Sequence, residues 1–147
     1  MIEGQETKVM SVRDAIIEAM SEEMRRDENV FLIGEDVGVY GGDFGTSVGM
    51  LEEFGSERVR DTPISENAIS GCAVGAALTG MRPIVDVTFM DFIVYMMDNI
   101  VNQAAKTRYM YGGKGSVPVV FRCAAGSGLG SAAQHSHSLE SWFFHIP

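Results

Sequence analysis

The first regular pattern along the chain predicts a helix followed by a short strand. Apolar residues recur at every fourth position, at Val12, Ile16, Met20 and Met24. This spacing places them on one face of a helix. Ser11, with Asp14 three residues later, resembles a capping box at its start. After a polar break, the apolar run 30–33 predicts a buried strand.

The rest of the chain alternates between strand-like and helical stretches. Residues 58–61, 83–87 and 117–121 predict three further strands. A glycine-rich loop at 34–45 precedes a short helix that ends near Phe54. A second helix follows Ser65, and a long one covers 92–110, where glycines end it. Apolar strands separated by helices predict an α/β fold with a parallel sheet covered by helices on both faces.

The stretch 61–66, Asp-Thr-Pro-Ile-Ser-Glu, joins the end of a predicted strand to the start of a predicted helix. Pro63 disfavours helical dihedrals at the preceding residue. Ser65 is a good N-cap, and Gly80 fits the position just past the helix end. Glu66 would then project from the first helical turn at the end of a strand, where open parallel sheets bind ligands.

Composition limits the class of protein. The 147 residues suit one domain or part of one, and a net charge of −9 argues against a nucleic-acid partner. No apolar run approaches the roughly 20 residues that span a membrane. No secretory signal is visible, which favours a cytoplasmic location. Cys72 and Cys123 are interpreted as two buried thiols. The abrupt end at 142–147 indicates a fragment of a longer chain.

Several separate blocks resemble one enzyme family. The sequence is similar to the β subunit of the thiamine diphosphate-dependent 2-oxo acid dehydrogenases, the first component of the pyruvate, branched-chain and acetoin dehydrogenase complexes. The resemblance implies a thiamin diphosphate-binding fold, with 1–147 forming most of a transketolase-like pyrimidine-binding domain and the C-terminal domain absent. The blocks that carry it are 31–37, 61–66, 80–83, 104–107, 112–113 and 133–136.

The resemblance implies that three residues contact the cofactor's aminopyrimidine ring. Glu66 matches the carboxyl group that shares a proton with a ring nitrogen and so helps the cofactor's own amino group to act as a base. A helix dipole favours the ionised carboxylate by about 0.3–1 kcal/mol, so burial must offset it. Phe92 matches an aromatic that packs on the ring, and Ile64 an apolar contact. Both could equally be core residues.

Further positions match the family's catalytic groups. His135 corresponds to a histidine linked with acyl transfer to lipoyl. Glu35 and Asp98 match carboxylates that line an acidic passage for protons between two cofactors. An alternative is that His135 and His137 bind a metal, but no third ligand is obvious, so no metal site is predicted. His137 replaces a glutamine frequent in the family and has no assigned role.

A missing motif predicts a partner. Thiamine enzymes hold Mg²⁺ and the diphosphate with Gly-Asp-Gly and a later Asn, whereas this chain has Gly-Asp-Phe at 42–44. The resemblance therefore implies an α subunit that carries the diphosphate and Mg²⁺, an α2β2 heterotetramer, and a lipoyl acyltransferase as the next component. Lys114 and Arg122 are interpreted as solvated charges and not as a phosphate site.

Three other readings remain open at this stage. One is a piece of a transketolase or deoxyxylulose phosphate synthase, although no diphosphate domain precedes this domain. Another is a non-catalytic interaction domain of the same fold. The third is a nucleotide-binding module at 38–45, which lacks a phosphate-loop Lys-Ser/Thr. Pyruvate, branched 2-oxo acids and acetoin all stay candidate substrates.

Overall fold

The computed structural model describes residues 7–147, and its centre is a four-stranded, all-parallel sheet in the order β2-β1-β3-β4. This confirms the predicted α/β class. The strands are β1 Val30–Gly34, β2 Val59–Asp61, β3 Arg82–Phe89 and β4 Val120–Ala124. The α-helices that precede β3 are α1 Val12–Arg26, α2 Met50–Phe54 and α3 Glu66–Leu78.

A continuous helical segment, residues 90–110, joins β3 to β4 where one long helix was predicted. Its winding varies: it contains a 3-10 helix Met90–Met96, a π-helix Asn99–Ala104 and finally α4 Ala105–Met110. Gly112 and Gly113, both with positive φ, end it as expected. A further 3-10 helix, Glu140–His145, lies near the end of the chain. None of the helices in residues 7–147 is long and apolar enough to cross a bilayer.

Each face of the sheet has its own apolar core. Because side chains alternate along a strand, β1 sends Phe31 and Ile33 to one face and Val30 and Leu32 to the other. The first pair packs with residues of α3, β3 and the 3-10 helix: Ile69, Ala73, Val85, Val87, Met90, Ile93 and Met96. The second pair packs with residues from α1, α2, the strands and the loop after β1: Met20, Met24, Val37, Met50, Val59 and Ile84.

The handedness of the connections explains which helix covers which face. The chain moves from β1 to β2 in one direction across the sheet, then crosses back over β1 to β3 and on to β4. Right-handed crossovers that run in opposite directions put their helices on opposite faces. Accordingly α2 packs on one face, while α3 and segment 90–110 pack on the other.

Several local predictions are confirmed at the helix ends. Ser11 caps α1, and its hydroxyl accepts a hydrogen bond from the Asp14 backbone N–H at 3.1 Å. Gly80 follows the C-cap of α3 with φ of 104°. Ser65 occupies the N-cap position of α3, but its hydroxyl donates to the Pro63 carbonyl at 3.0 Å, so the predicted side-chain cap is wrong.

Other predictions need correction. Val12 is 79% exposed, because the buried stripe of α1 begins only further along the helix. Strand β4 starts three residues later than predicted: the Val119 N–H donates to the Val117 carbonyl at 2.9 Å, so the backbone turns before the ladder begins. Cys72 lies on the outer face of α3 and is exposed, not buried. Cys123 is half-buried, and burial raises the pKa of its thiol.

A buried ion pair holds the glycine-rich loop onto the sheet. Asp86 of β3 and Arg122 of β4 face each other in the register and form a salt bridge. Arg122 also donates to the Thr46 hydroxyl in the loop at 2.9 Å. The interpretation of Arg122 as a solvated charge is therefore wrong. Burial raises the pKa of Asp86, and the Arg122 charge opposes that effect.

Removing the arginine should leave a buried charge without compensation. We expect Arg122→Met to lower the free energy of unfolding by about 3–5 kcal/mol at pH 7, measured by urea denaturation. Without Arg122 the folded pKa of Asp86 rises further above its unfolded value. The stability contributed by such a group is complete below the unfolded pKa and is lost as pH rises through the folded pKa. The difference in unfolding free energy between Arg122→Met and the parent should therefore become smaller as the pH is lowered.

Two variants control this experiment. Replacing the pair together, with Asp86→Leu and Arg122→Met, should recover most of the loss, because no charge then stays buried. Lys114→Met removes an exposed cation and should change stability by less than about 0.5 kcal/mol. An Arg122→Met protein as stable as the parent at pH 7 would contradict a stabilising role for the Asp86–Arg122 ion pair.

Candidate active site at the carboxyl edge of the sheet

The strand order creates a crevice at the carboxyl edge. The connections leave β1 and β3 in opposite directions, so their carboxyl ends flank a topological switch point, where ligands bind in open α/β sheets. Glu35 follows β1, Glu66 follows β2 and Phe92 follows β3. His135 lies in the long stretch after β4. Parallel pairing therefore carries all four predicted residues to one edge.

Glu35 and Glu66 form a pair of neighbouring carboxylates. Both side chains are half-buried. Burial raises the pKa of Glu35, the negative charge of Glu66 raises it further, and the backbone N–H of Ser65 acts in the opposite direction. Asp43 and Asp36 add smaller contributions of the same sign as Glu66. Like charges this close favour a proton kept at the pair.

The two glutamates also have unused hydrogen-bonding capacity. Oxygen Oε1 of Glu35 is buried without a partner, and so is the hydroxyl of Thr62 at the end of β2. Within residues 7–147, the hydrogen bond at Glu66 involves its backbone carbonyl, which accepts from the Ser70 hydroxyl at 2.9 Å, and not its carboxylate. Buried polar atoms without partners are uncommon in native proteins and mark places where a ligand or another chain is expected.

An aromatic cluster forms the other half of the site. The His135 ring meets the rings of Phe89 and Phe92 edge to face, with centroids 4.8 and 5.3 Å apart. Phe89 in turn contacts Phe92 at 5.9 Å and Phe44 of the glycine-rich loop at 5.3 Å. A cavity of about 400 Å³ opens on one side of His135, and a smaller one of about 220 Å³ on the other.

Two predicted residues are placed differently. Ile64 is 82% exposed, so it is not a core residue, and its apolar surface is available to a ligand or partner. Asp98 is exposed and accepts a hydrogen bond from Asn102 at 2.7 Å, one helical turn away. Solvent and Asn102 satisfy its charge, and its described contacts are not with the glutamate pair. Its place in an acidic passage stays a prediction.

The glycine-rich loop is shaped by packing within the chain. The Gly38 N–H donates to the Asp61 carboxylate at 2.6 Å, and a side chain at position 38 would collide with that carboxylate. The Ser47 hydroxyl donates to the buried Val37 carbonyl at 2.7 Å. Gly38 is thus used for close packing against β2, which differs from a loop whose amides are open to phosphate.

One ion pair in the large cavity was missed by sequence reasoning. His137 Nδ1 pairs with the Asp91 carboxylate, and its backbone N–H lies 3.4 Å from the same group. The two residues are far apart in sequence, so no local pattern joins them. The described part of the chain has no cluster of three or more His, Cys, Asp or Glu residues suited to a metal ion.

Phe44 and Arg122 were also missed as parts of the site. Asp86, a charged residue within the apolar strand 84–87, was an available signal for a buried partner, because such charges are rarely buried unpaired. Phe44 gave no such signal. Its contact with Phe89 depends on how the loop folds back over the sheet.

Comparison with known proteins places the chain in a known family. The transketolase pyrimidine-binding domain family matches residues 8–147. The chain is 48% identical to the pyruvate dehydrogenase E1 component subunit beta of Rhizobium meliloti, over 98% of this chain and 31% of that protein. It is 49% identical to the acetoin:2,6-dichlorophenolindophenol oxidoreductase subunit beta of Bacillus subtilis, over 95% of this chain and 44% of that protein.

The chain thus spans less than half the length of these curated relatives. Among solved structures, it resembles a split-gene transketolase in an inactive β4 tetramer, with a TM-score of 0.67. That likeness covers 95% of this chain and 41% of the other at 19% identity, and it supports the fold alone.

The carboxylate pair generates a prediction that needs no ligand. Glu66→Gln removes a neighbouring negative charge, so the pKa of Glu35 should fall. It should not return to its ordinary value, because burial is the larger cause. Carboxyl-carbon NMR titration of the labelled chain measures this shift. Asp98→Asn is the matched control and should leave the pKa of Glu35 unchanged; an equal fall in both variants would contradict the pairing.

Proposed function

Since this chain belongs to the transketolase pyrimidine-binding domain family, we propose that it binds the aminopyrimidine ring of thiamine diphosphate in the β subunit of a 2-oxo acid dehydrogenase. The relatives named for pyruvate dehydrogenase and acetoin oxidoreductase support this class. The reaction is oxidative decarboxylation of a 2-oxo acid, or cleavage of acetoin, with transfer of the acyl group to a lipoyl group. Pyruvate, branched 2-oxo acids and acetoin are the candidate substrates.

One observation carries the proposal: the partner-free carboxylate of Glu66 stands at the start of α3 beside Glu35. Glu35, whose pKa is raised by burial and by the charge of Glu66, can keep a proton beside the carboxylate of Glu66. A ring nitrogen with a neighbouring amino group fits this donor set, because a protonated carboxyl donates to the nitrogen while a carboxylate accepts from the amine. Phe92, at the same sheet edge, offers an aromatic face for packing against the ring.

The charge of this edge also supports a divided site. The charged groups that raise the pKa of Glu35 are themselves carboxylates, from Glu66, Asp43 and Asp36. A diphosphate would be repelled there, and Gly-Asp-Phe stands where a metal-binding Gly-Asp-Gly would be needed. An α subunit would therefore hold the diphosphate and Mg²⁺, and the two chains would assemble as an α2β2 heterotetramer. A lipoyl acyltransferase would accept the product.

Each side chain has a definite task in this proposal. Thiamine diphosphate, when bound, would supply a nucleophilic carbon. Glu66, in the first turn of α3, would bind the ring nitrogen, and Glu35, whose pKa is raised, lies beside it. Phe92 orients the ring. His135, enclosed by Phe89 and Phe92, provides a proton on the acyl-transfer side.

The first test removes the proposed proton-holding group. Glu66→Gln in the assembled enzyme should reduce decarboxylation by about 10²- to 10⁴-fold, the range that a positioned acid or base contributes. The assay uses an artificial electron acceptor, so lipoyl transfer does not limit the rate. Glu57→Gln alters a carboxylate that is 91% exposed and should keep full activity. Full activity of Glu66→Gln would refute the assignment.

A second test addresses the divided cofactor site. Because the carboxylate edge shows no cationic cradle among residues 7–147, the isolated polypeptide should give no heat of binding with thiamine diphosphate and Mg²⁺ in calorimetry. Far-UV circular dichroism must first establish that it is folded. Adding a cognate α subunit should restore binding. Micromolar affinity of the folded chain alone would contradict the division of the site.

A further inference from the structure

The His137–Asp91 pair lies in the wall of the same cavity as His135. Asp91 belongs to the 3-10 helix that follows β3, and its carboxylate is only 7% exposed. His137 lies two residues beyond His135 and its side chain is 54% exposed. The 400 Å³ cavity is bordered by both histidines, Asp91 and Phe92, together with Tyr95 and Trp142. It joins a more enclosed histidine to a histidine that solvent reaches.

The contacts with Asp91 determine the orientation and tautomer of the His137 ring. Burial alone would raise the pKa of Asp91, but hydrogen bonds from the His137 side chain and backbone N–H reverse this effect and lower it. Asp91 therefore stays ionised and accepts from Nδ1 of His137. Such a carboxylate fixes the tautomer and orientation of an imidazole, and leaves Nε2 on the opposite side of the ring to exchange protons.

Several neighbours of half-buried His135 offer it no proton. The edge-to-face rings of Phe89 and Phe92 carry no exchangeable proton. The other residues along its smaller cavity are apolar or glycine: Phe44, Phe89, Ala124, Ala125, Gly126, Gly128 and Leu129. Of the two cavities beside His135, the large one also contains a second histidine, His137, whose ring can carry a proton toward it.

We propose that His137, held by Asp91, is a proton shuttle that reloads His135 from bulk solvent through the shared cavity. The inference rests on the proposed function, in which His135 donates a proton during acyl transfer. His135 loses one proton to the acceptor, while His137 takes one proton from the bulk on Nε2, passes it by way of solvent to His135 and returns to its Nδ1–H form. Asp91 remains a carboxylate throughout, so no charge or proton is left over.

The experiment compares variants in the assembled α2β2 enzyme. His137→Gln keeps a polar side chain of similar length but cannot carry a proton. In weak buffer, acyl transfer to a lipoyl substrate should fall by about tenfold, less than the roughly 10²–10⁴ that losing a direct donor costs. Decarboxylation with an artificial acceptor should persist. Added imidazole, which can carry protons through the cavity, should restore most of the transfer rate.

Two further variants make the test specific. Asp91→Asn removes the charge that holds His137 and should give a smaller loss that imidazole also restores. His145→Gln replaces the chain's third histidine, which is exposed in the 3-10 helix Glu140–His145, and should leave transfer unchanged with or without imidazole. A loss in His137→Gln that imidazole cannot restore would mean a structural role and overturn the shuttle.

An undiminished rate of acyl transfer by His137→Gln in weak buffer would also overturn the shuttle. These outcomes affect only the shuttle, because the unaltered complex still decarboxylates. If the unaltered complex is inactive on 2-oxo acids and on acetoin, the proposed function fails first, and the shuttle fails with it.

Discussion

Parallel pairing of β1 with both β2 and β3 is the constraint on which the site depends. It brings the carboxyl ends of the strands to one edge, and the reversal of direction after β1 opens a crevice there. Glu35 follows β1, and Glu66 reaches the same edge after β2 because α3 must cross back over β1 to begin β3. A different strand order would separate the two carboxylates.

The burial of Glu35 beside the negative charge of Glu66, at the carboxyl edge of the sheet, lowers the stability of the fold at neutral pH. Glu35 keeps a buried oxygen without a partner, and both burial and the charge of Glu66 raise its pKa. By the linkage rule, a carboxyl with a raised folded pKa contributes stability below its unfolded pKa, which is lost as pH rises through the folded value. Asp86 has the same type of shift but is compensated by Arg122. A hydrogen-bond partner for the buried oxygen of Glu35 is expected from a ligand or another chain.

Sequence reasoning succeeded where a pattern is local and failed where a contact is distant. Apolar runs and glycines predicted every strand and the end of segment 90–110, because burial and positive φ act through neighbouring residues. Strand β4 was misplaced because its start depends on the ladder with β3. The roles of Glu66, Phe92 and His135 came from the resemblance to a family. The pairs Asp86–Arg122 and Asp91–His137 link distant positions, so only the folded chain could reveal them.

The unusual winding of segment 90–110 connects the two halves of the site. A 3-10 helix of seven residues followed by a π-helix is rare, and such departures are frequent at functional positions. Asn99, at the start of the π-helix, donates to the Asn67 carbonyl at 3.1 Å and to the Ser70 hydroxyl at 2.9 Å.

Ser70 in turn donates to the Glu66 carbonyl at 2.9 Å, so a chain of hydrogen bonds ties the first turn of α3 to the segment that carries Asp91 and Phe92. The carboxylate half and the histidine half are thereby held together through α3 and segment 90–110, as the proposed function would require.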